Sequence, residues 1–173
     1  RILCVEVCHA KRLVICADQN GSIMAFRYRA GREDPVGSDL ELTIMMRHHH
    51  AKLAVSLLRM NEAGDLVSGG RDGKLYKYEI HSSQGSDMLR PVEIQSEKYV
   101  SAIEDCVSLG GSLYVVGFQA SDFVIWNATE NCSVIKIDCG GWRRPRHFCM
   151  REREGLTFAF VKDHSIHVQQ LVP

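Results

Sequence analysis

The chain has 173 residues, with 21 Lys and Arg against 21 Asp and Glu and a formal net charge of zero. That length is one domain or part of one, and the balance excludes a global polycation while leaving room for a local basic patch. Hydrophobic residues make up 45% and charged residues 24%, a globular rather than a disordered composition, and no apolar run approaches the roughly 18 residues of a membrane-spanning helix.

The opening run Ile2-Leu3-Cys4-Val5-Glu6-Val7-Cys8 reads as the middle of a strand and has no Met before it, so the chain is expected to be part of a longer one. Further on, one pattern recurs four times. Val14-Ile15-Cys16-Ala17-Asp18-Gln19-Asn20-Gly21-Ser22-Ile23-Met24-Ala25-Phe26 is matched by Leu66 to Tyr78, by Val115 to Trp126 and by Phe158 to Gln169. Each copy is an apolar strand, a polar turn and a second strand. The column Ile23, Leu75, Phe123, Ile166 is apolar, and Phe26, Tyr78, Trp126 is aromatic until Gln169 breaks it. Asn20-Gly21 and Asp72-Gly73 supply residues that accept positive φ, so each copy is a β-hairpin. Gly110-Gly111-Ser112 is a further hairpin turn.

The intervals hold more strands: Leu40 to Met46, Leu53 to Met60, Val92 to Gln95, Tyr99 to Leu109, Cys132 to Ile137 and His147 to Arg151. One segment is ambiguous. His50 to Ala63, with Leu53, Leu57, Leu58 and Met60, fits a helix ending at Gly64 as well as a strand; the repeat favours the strand. Four short strands per period of about 43–52 residues is the pattern of a β-propeller blade.

Around Leu66-Val67-Ser68-Gly69-Gly70-Arg71-Asp72-Gly73 to Tyr78 the chain resembles the WD-repeat family, with Val55, Leu58 and Met60 at apolar positions of that family's first strand. The resemblance covers essentially the whole chain. It implies an all-β partial β-propeller of about four WD-like blades, a fragment of a larger, seven-bladed ring, with approximate blades 1–29, 40–80, 90–128 and 132–171. It implies unpaired edges and one exposed apolar end face. It also implies a buried hydrogen-bond chain through His50, Ser68 and Asp72, left incomplete because Tyr78 stands where the family has Trp. Cys139-Gly140-Gly141-Trp142-Arg143-Arg144-Pro145 is similar to a segment of a large cytoplasmic member that partners a tRNA ribose 2′-O-methyltransferase. That implies a cytoplasmic, non-catalytic scaffold in tRNA methylation, with a methyltransferase as protein partner, tRNA as ligand, no cofactor and no membrane. A general protein–protein scaffold, such as a ubiquitin-ligase adaptor or trafficking subunit, is the alternative.

Trp142-Arg143-Arg144-Pro145-Arg146-His147 is the most unusual stretch, with Arg151 and Arg153 following, offset by Glu152 and Glu154. Guanidinium forks suit phosphates and an indole suits a base, so the segment is a candidate surface for RNA or an acidic protein. The competing reading is solvated arginines with Trp142 packed between blades. His48-His49-His50 invites a metal reading, but consecutive strand residues face apart, and neither Glu41 nor Glu62 is close in sequence. One structural and two exposed histidines are expected. Glu104 and Asp105 likewise face apart, so no acid/base dyad is expected; one should be solvated and the other paired or capping. No nucleotide-binding or hydrolase motif is present. The seven cysteines (Cys4, Cys8, Cys16, Cys106, Cys132, Cys139, Cys149) are odd in number and lack CxxC spacing, which reads as small buried hydrophobes in a reducing compartment. The sequons at Asn20, Asn127 and Asn131 fall in turns, where Asn serves the backbone.

Overall fold

The structure, a computed structural model, describes residues 1–28, 40–61, 64–83, 86–95, 99–151 and 155–171. Their apolar runs and turn residues form strands β1 (Ile2–Cys8), β2 (Leu13–Asp18), β3 (Ile23–Arg27), β4 (Glu41–Met46), β5 (Val55–Met60), β6 (Leu66–Gly70), β7 (Leu75–Ser83) and β8 (Ser86–Gln95). They continue with β9 (Ala102–Leu109), β10 (Ser112–Gln119), β11 (Asp122–Asn127), β12 (Cys132–Asp138), β13 (Arg146–Arg151), β14 (Gly155–Lys162) and β15 (Ser165–Leu171). A 3-10 turn, His9–Lys11, joins β1 to β2. The ambiguous segment after His50 is a strand over Val55–Met60. Glu62, Glu152, Arg153 and Glu154 lie outside the described residues.

Antiparallel pairing makes four sheets, ordered β1-β2-β3-β4, β5-β6-β7-β8, β9-β10-β11-β12 and β13-β14-β15. The sheet boundaries fall one strand away from the repeat boundaries: β4 begins the repeat copy 40–80, yet it pairs with β3 of the sheet before. The four repeat hairpins are all present, as β2–β3, β6–β7, β10–β11 and β14–β15. The Gly110-Gly111 turn between β9 and β10 has φ of 56° and 81°, the sign a tight hairpin demands. Glycine is required sterically at several positions, two of them at turns or register shifts. Gly21 has φ 75°, and a Cβ there would meet the Leu53 carbonyl at 2.8 Å. At Gly117, where β10 shifts register against β9, a Cβ would stand 2.1 Å from the Ala102 carbonyl.

Three apolar interfaces join the sheets in sequence order. Leu13, Ile15, Ile23 and Ala25 of the first sheet meet Val55, Leu58, Leu66 and Tyr78 of the second. The opposite face of the second sheet, Leu57, Val67 and Leu75, packs on Ile103, Val115 and Trp126 of the third. The third sheet's other face, Phe118, Phe123 and Ile125, meets Leu156, Phe158 and Phe160 of the fourth. Inner strand β1 packs against β5, and β5 against β9. This row of sheets, all β and joined face to face, is consistent with blades of a partial propeller.

Apolar side chains are exposed at both ends of the row, not at one. Val5 is 57% exposed on the first sheet, and Ile166 and Val168 are 78% and 65% exposed on the fourth. Ile166 occupies the column in which Ile23, Leu75 and Phe123 are fully buried. Those three each have a following sheet over them.

The expected hydrogen-bond chain is complete. His50 Nδ1 lies 2.9 Å from Asp72 Oδ1, His50 Nε2 lies 2.7 Å from Ser68 Oγ, and Ser68 Oγ lies 2.8 Å from the Tyr78 hydroxyl. Tyr78 corrects the expectation of a missing partner: a phenol O–H reaches where an indole N–H was expected. Burial pushes that phenol's pKa upward, so it remains neutral. A second tie lies further out, where Arg27 of β3 pairs with the fully buried carboxylate of Asp87 on β8.

Tyr78→Phe keeps the ring and removes one hydrogen bond, so it should cost about 1 kcal/mol in urea unfolding; Asp72→Ala, which leaves the buried His50 Nδ1 without its partner, should cost about 1–3 kcal/mol. Phe158, fully buried and stacked on Phe123 at 3.9 Å, should cost about 3–5 kcal/mol when replaced by Ala. Burial, followed by the charge of Asp105, pushes the Cys106 thiol up to about 11, whereas Cys132 is exposed. A thiol reagent at about pH 8 should therefore label Cys132 in the native protein and Cys106 only after denaturant is added; equal labelling rates would contradict this packing.

Candidate functional site

Alternating strand direction brings one set of connections to a common end of the sheets. These are the turns of the repeat hairpins and the segments that enter each following sheet. Hydrogen bonds tie them together: His50 N donates to the Gly21 carbonyl (3.0 Å), Arg71 N to that of Ala54 (2.9 Å) and Gly141 N to that of Ser121 (2.9 Å). The connection from β12 to β13 carries the sequence's unusual arginines. Gly140 and Gly141, with φ of 79° and 87°, turn the chain sharply after Asp138, and Cys139 Sγ, buried, donates to the Ser121 carbonyl at 3.4 Å. Trp142 follows, half-buried, with Arg143 and Arg144 exposed beyond it.

The structure divides the five candidate residues. Trp142, Arg143 and Arg144 share the loop, and the Arg143 guanidinium carbon lies 5.2 Å from the Trp142 ring centre. Arg146 does not join them. Its Nη2 is 2.7 Å from Glu104 Oε1, its guanidinium covers the Phe118 ring at 4.6 Å, and its Nη1 donates to the Trp142 carbonyl. Arg146 is therefore a brace between the third sheet and the loop, with its charge already matched. His147 is exposed on β13, where strand alternation points it away from Arg146. Sequence reading missed Arg71, whose guanidinium carbon lies 4.0 Å from the Trp142 ring centre. Arg71 belongs to the β6–β7 turn of the second sheet, so only the three-dimensional arrangement reveals the pairing.

Between these loops lies a cleft of about 490 Å³, lined by Gln19, Lys52, Arg71, Ser101, Ala102 and Trp142 among others. It draws on all three inter-sheet junctions. Lys52 has φ 63°, and Ala51 and His48 are also left-handed, at 50° and 53°. A run of such non-glycine residues is strained backbone.

Ser68, His50 and Asp72 have the spacing of a hydrolase triad, but His50 and Ser68 are fully buried and Ser68 Oγ is also occupied by Tyr78. The constellation closes the interior and presents no nucleophile to a cleft. The three histidines sit in a turn rather than on a strand. His48 is exposed, but His49 is half-buried with its ring 4.4 Å from that of Tyr76, which corrects the expectation of two exposed histidines. Both carboxylates of the 104–105 pair are engaged, Glu104 by Arg146 and Asp105 by Arg59 at 3.1 Å, where one solvated group was expected. Asn127 of the second sequon is buried and accepts from the backbone N–H groups of Thr129 and Glu130, both at 3.0 Å. That is the backbone role expected of it. Of the seven thiols, four are buried, Cys4 and Cys149 are partly buried and Cys132 is exposed.

No family model matches the chain. Among curated proteins it is similar to the tRNA (34-2′-O)-methyltransferase regulator WDR6 of Rattus norvegicus, 23% identical over 178 aligned positions, and to that of Homo sapiens, 25% identical over 178. Both alignments cover 88% of this chain and 16% of the relative. The Bos taurus protein of the same name is 26% identical over 117 positions, covering 68% of the chain and 10% of the relative. The chain thus spans 16% of the length of the first of these relatives. Similarity of low identity to this regulator extends along most of the chain, and its four antiparallel sheets are consistent with a fragment of a WD-repeat propeller.

Proposed function

We propose that the chain is a non-catalytic propeller segment that serves as a binding scaffold in a cytoplasmic regulator of tRNA ribose 2′-O-methylation. The observation that carries this reading is the similarity, over 88% of the chain, to proteins named as regulators of a tRNA (34-2′-O)-methyltransferase. The chemistry of the loop end supports it. Trp142, Arg143 and Arg144 are offered on one short connection between two sheets, stiffened at its base by Arg146 and Glu104. Rigid scaffolds present binding residues on such loops. Exposed guanidinium groups next to an indole suit phosphates and unstacked bases. The segment contributes affinity and orientation, and the methyltransferase supplies the chemistry.

The test uses the full-length protein. Arg143→Ala with Arg144→Ala should weaken tRNA binding and lower the slope of log affinity against log salt by about one unit per lost phosphate contact. Arg146→Ala should instead lower the urea midpoint, since it removes the brace. Methyltransferase that co-precipitates equally with and without nuclease, together with unchanged RNA binding by the double variant, would favour a purely protein-binding scaffold.

A further inference from the structure

The cleft at the loop end is built differently from two other hollows among the described residues. At the opposite end of the sheets, a cleft of similar size between the second and third sheets is lined by Met60, Val67, Ile94 and Leu113, with Arg59 and Lys77 at its rim. Both cations there are matched: Arg59 lies 3.1 Å from Asp105, and Lys77 lies 2.7 Å from Asp65. A smaller hollow beside Trp126 includes Lys136, which lies 3.2 Å from Asp122. The loop-end cleft has two cations, Lys52 and Arg71, and no carboxylate in its lining. Among the described residues neither cation makes an ion pair with a carboxylate, and both are exposed. Two positive charges with no carboxylate in the lining therefore meet in one concave place, on a chain whose formal net charge is zero.

The second feature is a cation–ring pair at the edge of the third core, where half-buried Trp142 packs. Arg71 lies against Trp142, and its own backbone is held by the hydrogen bond to Ala54. A guanidinium stacked on an indole keeps its N–H edge free for an anion, while the stack offers a plane to another ring. The small side chains Ala54, Ala102 and Ala120 line the cleft together with Leu53. Gln19 adds an amide, while the Ser101 hydroxyl donates to the Phe118 carbonyl at 3.0 Å and keeps only acceptor capacity. The volume of about 490 Å³ falls in the range of small-ligand pockets.

We infer that this cleft is the seat of one nucleotide of single-stranded RNA, its phosphate held by Lys52 and Arg71 and its base stacked on the Arg71–Trp142 pair. An acidic peptide would use the two cations but leave the planar stack idle, which is why the nucleotide fits better. The inference rests on the RNA-binding reading above and goes beyond it. It extends recognition from the arginine loop to the turns and entering segments of the neighbouring sheets, and it gives Arg71 and Lys52 roles that the loop alone does not.

The full-length protein is titrated with a fluorescein-labelled single-stranded RNA of mixed sequence. Lys52→Ala and Arg71→Ala should each weaken binding and lower the salt slope, and together they should lower it by about one unit, the contribution of one phosphate. Trp142→Leu should weaken binding about tenfold with the slope unchanged. Arg71→Lys separates charge from planarity: it should restore the salt slope but not the affinity. In the wild type the RNA should quench tryptophan fluorescence, and Trp142→Leu should abolish that quenching. Urea midpoints and circular dichroism of each variant are compared with the wild type, so that a loss of binding in a folded variant is read as loss of the seat. Wild-type affinity in all the cleft variants would overturn the seat while leaving the RNA-binding reading intact. No binding by the wild-type protein would overturn that reading and the seat with it. An unlabelled polyglutamate peptide that displaces the RNA and produces the same quenching would replace the nucleotide with an acidic protein segment.

Discussion

The inner sheets must bury both of their faces, and most of the molecule follows from that. A sheet with one wet face alternates apolar and polar residues; a sheet between two neighbours does not. Strand β6 is buried along its whole length, and so is β11 after its first residue. The approach is close: a Cβ on Gly69 would stand 2.7 Å from a methyl group of Ile103 in the next sheet. The row therefore holds together only as a series in which each sheet completes the core of the one before it, as in other repeat architectures.

Polar groups inside such a stack need partners. The chain from Asp72 through His50 and Ser68 to Tyr78 links a turn, an entering segment and two strands of the second sheet. Each member satisfies the next, so the buried histidine fixes how the loop from β4 enters β5. The same loop carries Lys52 and the left-handed residues beside it. Structural burial at His50 thereby sets the position of a cation on the rim.

The hairpins and their period were legible in the sequence because both are local. A turn is written by neighbouring residues such as Asp72-Gly73, and strand direction follows from it. The loop containing Trp142 was legible for the same reason. Its partners were not. Arg71 meets Trp142 from a different sheet, and Glu104 claims Arg146 from an adjacent one; no spacing rule connects residues so far apart in the chain. The histidine run misled because strand alternation was applied to what is a turn. The apolar column ending at Ile166 reads identically in all four copies, yet its last member is exposed, since burial depends on whether another sheet follows and not on the residue itself.

Gly117 has an implication for how this architecture tolerates change. With the Ala102 carbonyl 2.1 Å from where a side chain would begin, the innermost strand of the third sheet cannot slide past its partner by even one residue. Insertions and deletions before β9 are forced outward into the connecting segment. A change of length in the segment leading to β9 would then leave Ala102, which lines the cleft, in its place.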